Sequence, residues 1–228
     1  MPLRHKLWIT TAVLVLLCLH VQTVSEAAEQ RVFIAIPILA VSSEDEVAEG
    51  SISTLVIQVE RHSAPLGLIV EFNEGSKAFG AFKGRALEED SKDAARTAVL
   101  AASKIAGEDS ETLRVTFKAV SNAYLIGGPS ASASIAVAII AALRGITILP
   151  DVVITGAIDA DGHILPVGGL PAKIQAAAAA GLTTVLIPAG QARTREWDLS
   201  LLSESVGVTV VEVSTVKDAY EKMTGHSF

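Results

Sequence analysis

The sequence predicts an α+β fold, and three observations carry that expectation. Residues 31–72 hold several strand signals, some with strictly alternating apolar positions. About four helix signals follow, most of them closed by a glycine. The C-terminal half then alternates strand and helix twice. A chain of 228 residues favours one domain, and half of its residues are hydrophobic, enough to bury a sizeable core.

The chain opens with a candidate export signal. Arg4, His5 and Lys6 give a basic start, 7–21 is an apolar run, and 22–30 is mostly polar. The run falls short of the ~20 residues that a membrane-spanning helix needs. Ser25-Glu26-Ala27 offers a small-x-small cleavage site. Residues 1–27 are therefore expected to be a signal peptide or signal anchor, and 28–228 the body. Uncleaved, 7–24 would tether the chain to a membrane. The basic start should stay inside, so the body is expected outside the cytoplasm.

The body starts with a buried-strand signal over 31–41, rich in Val and Ile. An acidic loop covers 42–50. In 51–60, Leu55, Ile57 and Val59 alternate as in a half-buried strand, and 66–72 reads as another after a turn at 62–65. Together these suggest an antiparallel β unit. Residues 87–106 form a helix, with Glu88, Glu89 and Asp90 placed to suit the dipole and Gly107 as its stop. A strand over 113–119 leads to a second helix over 130–144, stopped by Gly145. Strands at 152–154 and 163–166 flank the Asp161-Gly162 turn, a hairpin signal. A third helix, 171–180, begins at Pro171, which suits a first turn. Strands at 183–187 and 208–213 and a last helix over 215–223 complete the chain.

Composition excludes several functions. The net charge of −7 argues against a general nucleic-acid binder. The single cysteine, Cys18, lies in the N-terminal run, so the body has no disulfide, no thiol nucleophile and no Cys-based zinc site. His62, His163 and His226 are scattered, and Asp159-x-Asp161-Gly162 is too incomplete for a calcium loop. Gly80-Ala81-Phe82-Lys83-Gly84 lacks the Gly-Lys-Ser/Thr ending of a phosphate loop. No metal or cofactor is expected.

The chemistry concentrates between Gly127 and Lys173. Gly127-Gly128 permits a tight turn, and Pro129 can open a helix without wasting an N–H. Ser130 then stands in a first turn, whose free N–H groups could stabilise an oxyanion. Alone, Ser130 reads first as a helix cap with no chemistry. Ser132 and Ser134 are rival nucleophiles; Ser132 points to another helix face, while Ser134 lies about one turn on. Lys173 sits among Leu170, Ala172 and Ile174, a setting that could lower its pKa from ~10.4 toward ~7–8 by excluding water. Alone, it reads as a lysine snorkelling from an apolar face.

Three motifs in order give this stretch a resemblance. Gly128-Pro129-Ser130-Ala131, Thr155-Gly156, and Gly168-Gly169-Leu170 followed by Lys173 resemble the proteolytic domain of Lon-type serine–lysine proteases. The separation of Ser130 and Lys173 agrees as well. The resemblance is strong over 128–188, merely compatible over 31–122 and absent from the first thirty residues. It implies a single Lon-protease-type domain of mixed small sheets and about four helices. It also implies Ser130 as nucleophile, Lys173 as general base and Thr155 in support, its hydroxyl holding the amine toward Ser130. Among the three serines, only the motif excludes Ser134.

The resemblance further implies an ATP-independent endopeptidase, since the ATPase module that usually accompanies this domain is not in the sequence. Its partners would be unfolded or peptide-like polypeptides, and it would self-assemble as a homo-oligomer. The alternative is a catalytically silent exported binding module with the same fold. Two departures stand out. The family often carries an acidic residue where Gly127 stands, and another where Ala157 stands. Their loss should make the site more apolar.

Overall fold

The computed structural model describes residues 30–41, 49–73, 88–120 and 127–228. The expected signal or anchor over 1–27 and the region 74–87 lie outside them. Among the described residues no helix is long and apolar enough to cross a membrane.

The first half builds a four-stranded sheet. β1 (Gln30–Val41) and β2 (Gly50–Arg61) form a long antiparallel ribbon, paired from Gln30–Arg61 to Val41–Gly50. β3 is Ile69–Phe72 and β4 is Leu113–Val120. The strand order is β1-β2-β4-β3. An all-antiparallel unit was expected here, and β3 corrects it. It pairs parallel to β4, with Ile69 opposite Arg114 and Phe72 opposite Phe117. The cause is the connection: α1 (Glu89–Ala106) lies between β3 and β4, and strands joined by a helical crossover run parallel. Phe72 and Phe117 stack with ring centroids 5.4 Å apart.

α2 (Ser132–Arg144) is the centre of the molecule. Every residue from Ser132 to Ala142 is buried, because the helix packs against α1, β1, β2 and the last helix at once. An apolar, alanine-rich sequence is the only kind that tolerates contact on all sides. Gly145, left-handed at φ 67°, terminates it by giving its N–H back to the last turn.

The second half repeats strand and helix. β5 (Val152–Ile154), β8 (Thr184–Pro188) and β9 (Thr209–Val213) form a parallel sheet in the order β5-β8-β9. The hairpin expected between 152–154 and 163–166 is reassigned. Its true arms are β6 (Ala157–Ile158) and β7 (Ile164–Leu165), while β5 turns away to pair with β8. α3 (Leu170–Ala179) leads into β8, α4 (Leu199–Val206) into β9, and α5 (Val216–Thr224) closes the chain. α4 was not foreseen, so there are five helices among the described residues. Two buried clusters result. One surrounds α2; the other, with Leu39, Val153, Leu170, Ile174, Val185 and Ile187, lies under α3.

Candidate active site

The Ser130 loop approaches α2 through a single turn of 3-10 helix, Pro129–Ala131. Gly128 precedes it at φ 84°, a conformation only glycine adopts freely. The helix expected from Ser130 therefore becomes regular only at Ser132. Ser130 is half-buried and borders a hollow lined by Ile38, Leu39, Leu55, Phe72, Phe117 and Ile135. Behind the loop stands the start of α1. The Asp90 carboxylate accepts from the Gly128 N–H at 3.4 Å, and the Ser91 hydroxyl donates to the Gly128 carbonyl at 3.2 Å.

Thr155 follows β5 and is buried. Its N–H bonds to the Leu186 carbonyl at 3.0 Å, which fixes it to the parallel sheet. The next residue, Gly156, joins the sheet to the nucleophile turn. Its N–H donates to the Ser130 carbonyl at 2.8 Å, and its carbonyl accepts from the Ala133 N–H at 3.1 Å.

Lys173 lies in the first turn of α3 and is only 2% exposed. Its Nζ donates to Thr155 Oγ1 at 3.0 Å, and the Thr155 hydroxyl donates on to the Ser130 carbonyl at 3.5 Å. Burial pushes the Lys173 amine down from the ordinary 10.5 to about 8. No carboxylate among the described residues forms an ion pair with it. The three residues singled out in the sequence thus meet in space, on a turn, a strand end and a helix start. One link is not made: among the described residues, the Ser130 hydroxyl forms no direct hydrogen bond to Lys173 Nζ.

The rival serines have other surroundings. The Ser132 hydroxyl donates to the Pro129 carbonyl at 2.8 Å and accepts from the Ile158 N–H at 3.0 Å. It ties the nucleophile turn to β6 and is buried. Ser134 is fully buried, and its hydroxyl has no partner among the described residues. Both are buried, whereas Ser130 is half-buried. Two amides after Ser130 are engaged: the Ser132 N–H donates to the Pro129 carbonyl and the Ala133 N–H to the Gly156 carbonyl.

The expectation of a more apolar site needs revision on one side. A Cβ built on Gly127 would run into the Glu88 carboxylate, 2.7 Å from its Cδ. Glu88, at the start of α1, thus fills the space a side chain at 127 would claim. At Ala157, by contrast, only a buried methyl is present. Sequence reading missed the contributions of Asp90, Ser91 and Ser132. Only their polarity marked them, and that signal does not distinguish a loop clamp from a solvated helix start.

Comparison with known proteins bears on this geometry. Residues 84–223 match the Lon protease C-terminal proteolytic domain family. The chain is 35% identical over 136 residues to an archaeal Lon protease of Archaeoglobus fulgidus, covering 59% of this chain and 21% of that protein. It is 41% identical over 93 residues to a Lon protease of Azospirillum brasilense, covering 40% of this chain and 11% of that protein. A third similarity, 50% over 64 residues, is to an archaeal Lon protease of Methanothermobacter thermautotrophicus. The chain spans about a fifth of the length of the first of these relatives.

Two predictions follow from the hydroxyl and amine environments. Ser132→Ala strands the buried Ile158 N–H and should cost ~1–3 kcal/mol. Ser134→Ala removes a hydroxyl with no partner and should be neutral or stabilising. Urea denaturation of both variants separates them; equal losses would contradict the assigned bonds.

The second concerns pH. The folded state holds Lys173 at about 8 against 10.5 for an ordinary lysine. Between those values the unfolded chain binds more protons, so stability rises with pH across that window. Below it the cost of burying the charge is present in full. Lys173→Met should therefore stabilise the protein at neutral pH, by an amount on the order of 3 kcal/mol at 1.36 kcal/mol per unit. The advantage should fade as pH climbs from about 8 to 10.5. A pH-independent difference in denaturation free energy would refute it.

Proposed function

Because the chain belongs to the Lon protease C-terminal proteolytic domain family, we propose that it is a serine endopeptidase whose nucleophile is Ser130 and whose general base is Lys173. The observation that carries this reading is the buried Lys173 amine, hydrogen-bonded to Thr155 and lowered to about 8 by desolvation alone. An amine of that kind is neutral in roughly one molecule in five to ten near physiological pH, far more often than an ordinary lysine, and in that form can accept a proton.

The mechanism is acyl transfer. Lys173 removes the Ser130 hydroxyl proton as Ser130 Oγ attacks a peptide carbonyl. Amides in the nucleophile turn receive the developing oxyanion. The protonated lysine then passes its proton to the leaving amine. Water, deprotonated by the same amine, releases the acyl group. Thr155 orients the lysine by accepting one N–H while its own hydroxyl faces the Ser130 carbonyl.

The substrates in this reading are unfolded or peptide-like chains, cleaved without nucleotide. An extended chain would lay a side chain into the apolar hollow bordered by Leu55, Phe117 and Ile135. Location and assembly belong to the same proposal. Residues 1–27 direct export, or anchor the chain through 7–24, and the body works outside the cytoplasm. The basic start and apolar run support this. Self-association as a homo-oligomer completes the reading.

A binding module without catalysis is the competing reading. In its favour is the missing direct hydrogen bond between Ser130 and Lys173 among the described residues. Against it, catalytic hydrogen bonds in substrate-free sites often tighten only when substrate arrives. Hydrolysis of casein by the purified chain, with no nucleotide, decides between them. Wild type should cleave, and Ser130→Ala should lose at least ~10³-fold while remaining folded. Binding of casein by both, with cleavage by neither, would favour the silent module.

A further inference from the structure

A lysine in the first turn of a helix ordinarily reaches solvent, and Lys173 does not. That turn rests on the tip of the β1–β2 ribbon, where Val41 and Gly50 are the last paired residues. Gly169, at the start of α3, lies against Val41: a Cβ there would come within 2.8 Å of Val41 Cγ1 and 3.0 Å of Cγ2. At Gly50 the approach is closer. A Cβ would sit 2.5 Å from the Ala172 carbonyl carbon, collide with its oxygen, and reach within 3.1 Å of Ala176 Cβ. Real Cβ atoms do not approach backbone so closely. The Ala172 carbonyl is built into the helix and cannot swing aside as a side chain would. Any larger residue at position 50 must push the ribbon tip and the helix turn apart, and the next residue in that turn is Lys173.

We propose that Gly50 is a positioning residue for Lys173: the bare backbone at the ribbon tip lets the first turn of α3 settle onto β2 and thereby sets how deep the amine lies. The proposal rests on Lys173 being the general base. Among the described residues, depth and not neighbouring charge is what Gly50 would control. α3 has no other charged residue, and β5 and β8 have none. β1 carries Arg31, and β2 carries Glu60 and Arg61, all at the far end of the ribbon, roughly 30 Å from the tip at ~3.3 Å per residue. α4 contributes Glu204, and Glu49 beside Gly50 is exposed. None of these makes an ion pair with Lys173 among the described residues.

The test reads the amine directly. Full-length chain labelled with carbon-13 at lysine Cε is titrated by NMR as wild type, Gly50→Ala and Val41→Ala, with Lys173→Met to assign the signal. In Gly50→Ala the Lys173 midpoint should rise by about one unit or more toward the ordinary lysine value as water reaches the amine. The other lysine signals should stay in place. The alkaline-going limb of kcat/KM for a peptide substrate should move upward by the same amount, because the neutral amine then appears only at higher pH. A variant that is folded by circular dichroism but whose Lys173 midpoint moves by less than about 0.2 units, small beside the usual spread of lysine values, overturns the proposal. If Gly50→Ala does not fold, Val41→Ala must raise the midpoint by loosening the other half of the seat, and an unmoved midpoint there is equally decisive. A midpoint that rises in Gly50→Ala while wild type hydrolyses nothing would reject the peptidase reading and leave standing only that Gly50 sets the depth of the Lys173 amine. Hydrolysis with an immobile midpoint would reject only the role of Gly50.

Discussion

A lysine amine held under the surface, with no ion-pair partner among the described residues, constrains everything around it. Removing a charge from water costs several kcal/mol even after relaxation, and among the described residues no carboxylate pairs with it to offset that cost. The molecule meets it by letting the amine go neutral more readily, which is why burial alone brings Lys173 to about 8. The supporting structure must then be rigid, because any water that reaches the amine restores its ordinary basicity. Rigidity comes from three directions: the parallel sheet that holds Thr155, the ribbon tip that stops α3, and the buried cluster of Leu170, Ile174 and Val185 beneath it.

The Ser130 side obeys a different rule. Ser130 must stay accessible, so it lies on a turn outside the regular part of α2, not within it. The Gly128 conformation and Pro129 produce that turn, and Ser132 fastens it to β6. Gly156 bridges the two halves by bonding with both Ser130 and Ala133. Thr155-Gly156 therefore works as a unit, one residue facing the lysine and the other facing the serine. A turn fixed by backbone bonds on both sides can present its hydroxyl to the apolar hollow without a hydrogen bond of its own.

Much of this was legible in the sequence because the signals are local. The run from Ile135 to Leu143 ended by Gly145 could only be a buried helix, and Leu55, Ile57 and Val59 alternate as β2 requires. The Ser130, Thr155 and Lys173 set was read from motifs, and the fold brings the three together. Pairing was harder. That β3 runs parallel to β4 follows from the helix between them, a non-local inference that the strand signals alone do not contain. β6, two residues long, is too short to leave a period. α4 did carry a cue: Asp198 caps it by accepting from the Ser200 N–H, just ahead of an apolar run. Gly50 carried none. It stood at the end of an acidic loop, and nothing in its neighbours reveals a helix carbonyl packed against it from more than a hundred residues away.

The central claim is that Lys173 acts as a neutral amine that accepts the Ser130 proton. Peptide hydrolysis by wild type, Lys173→Arg and Lys173→Met, followed from neutral to alkaline pH, tests it most directly. Arginine keeps the charge but cannot be deprotonated in this range. The account predicts both variants inactive, and a wild-type rate that rises with pH through an apparent pKa near 8. A Lys173→Arg enzyme with substantial activity would contradict it, since the residue would then be serving only as a positive charge.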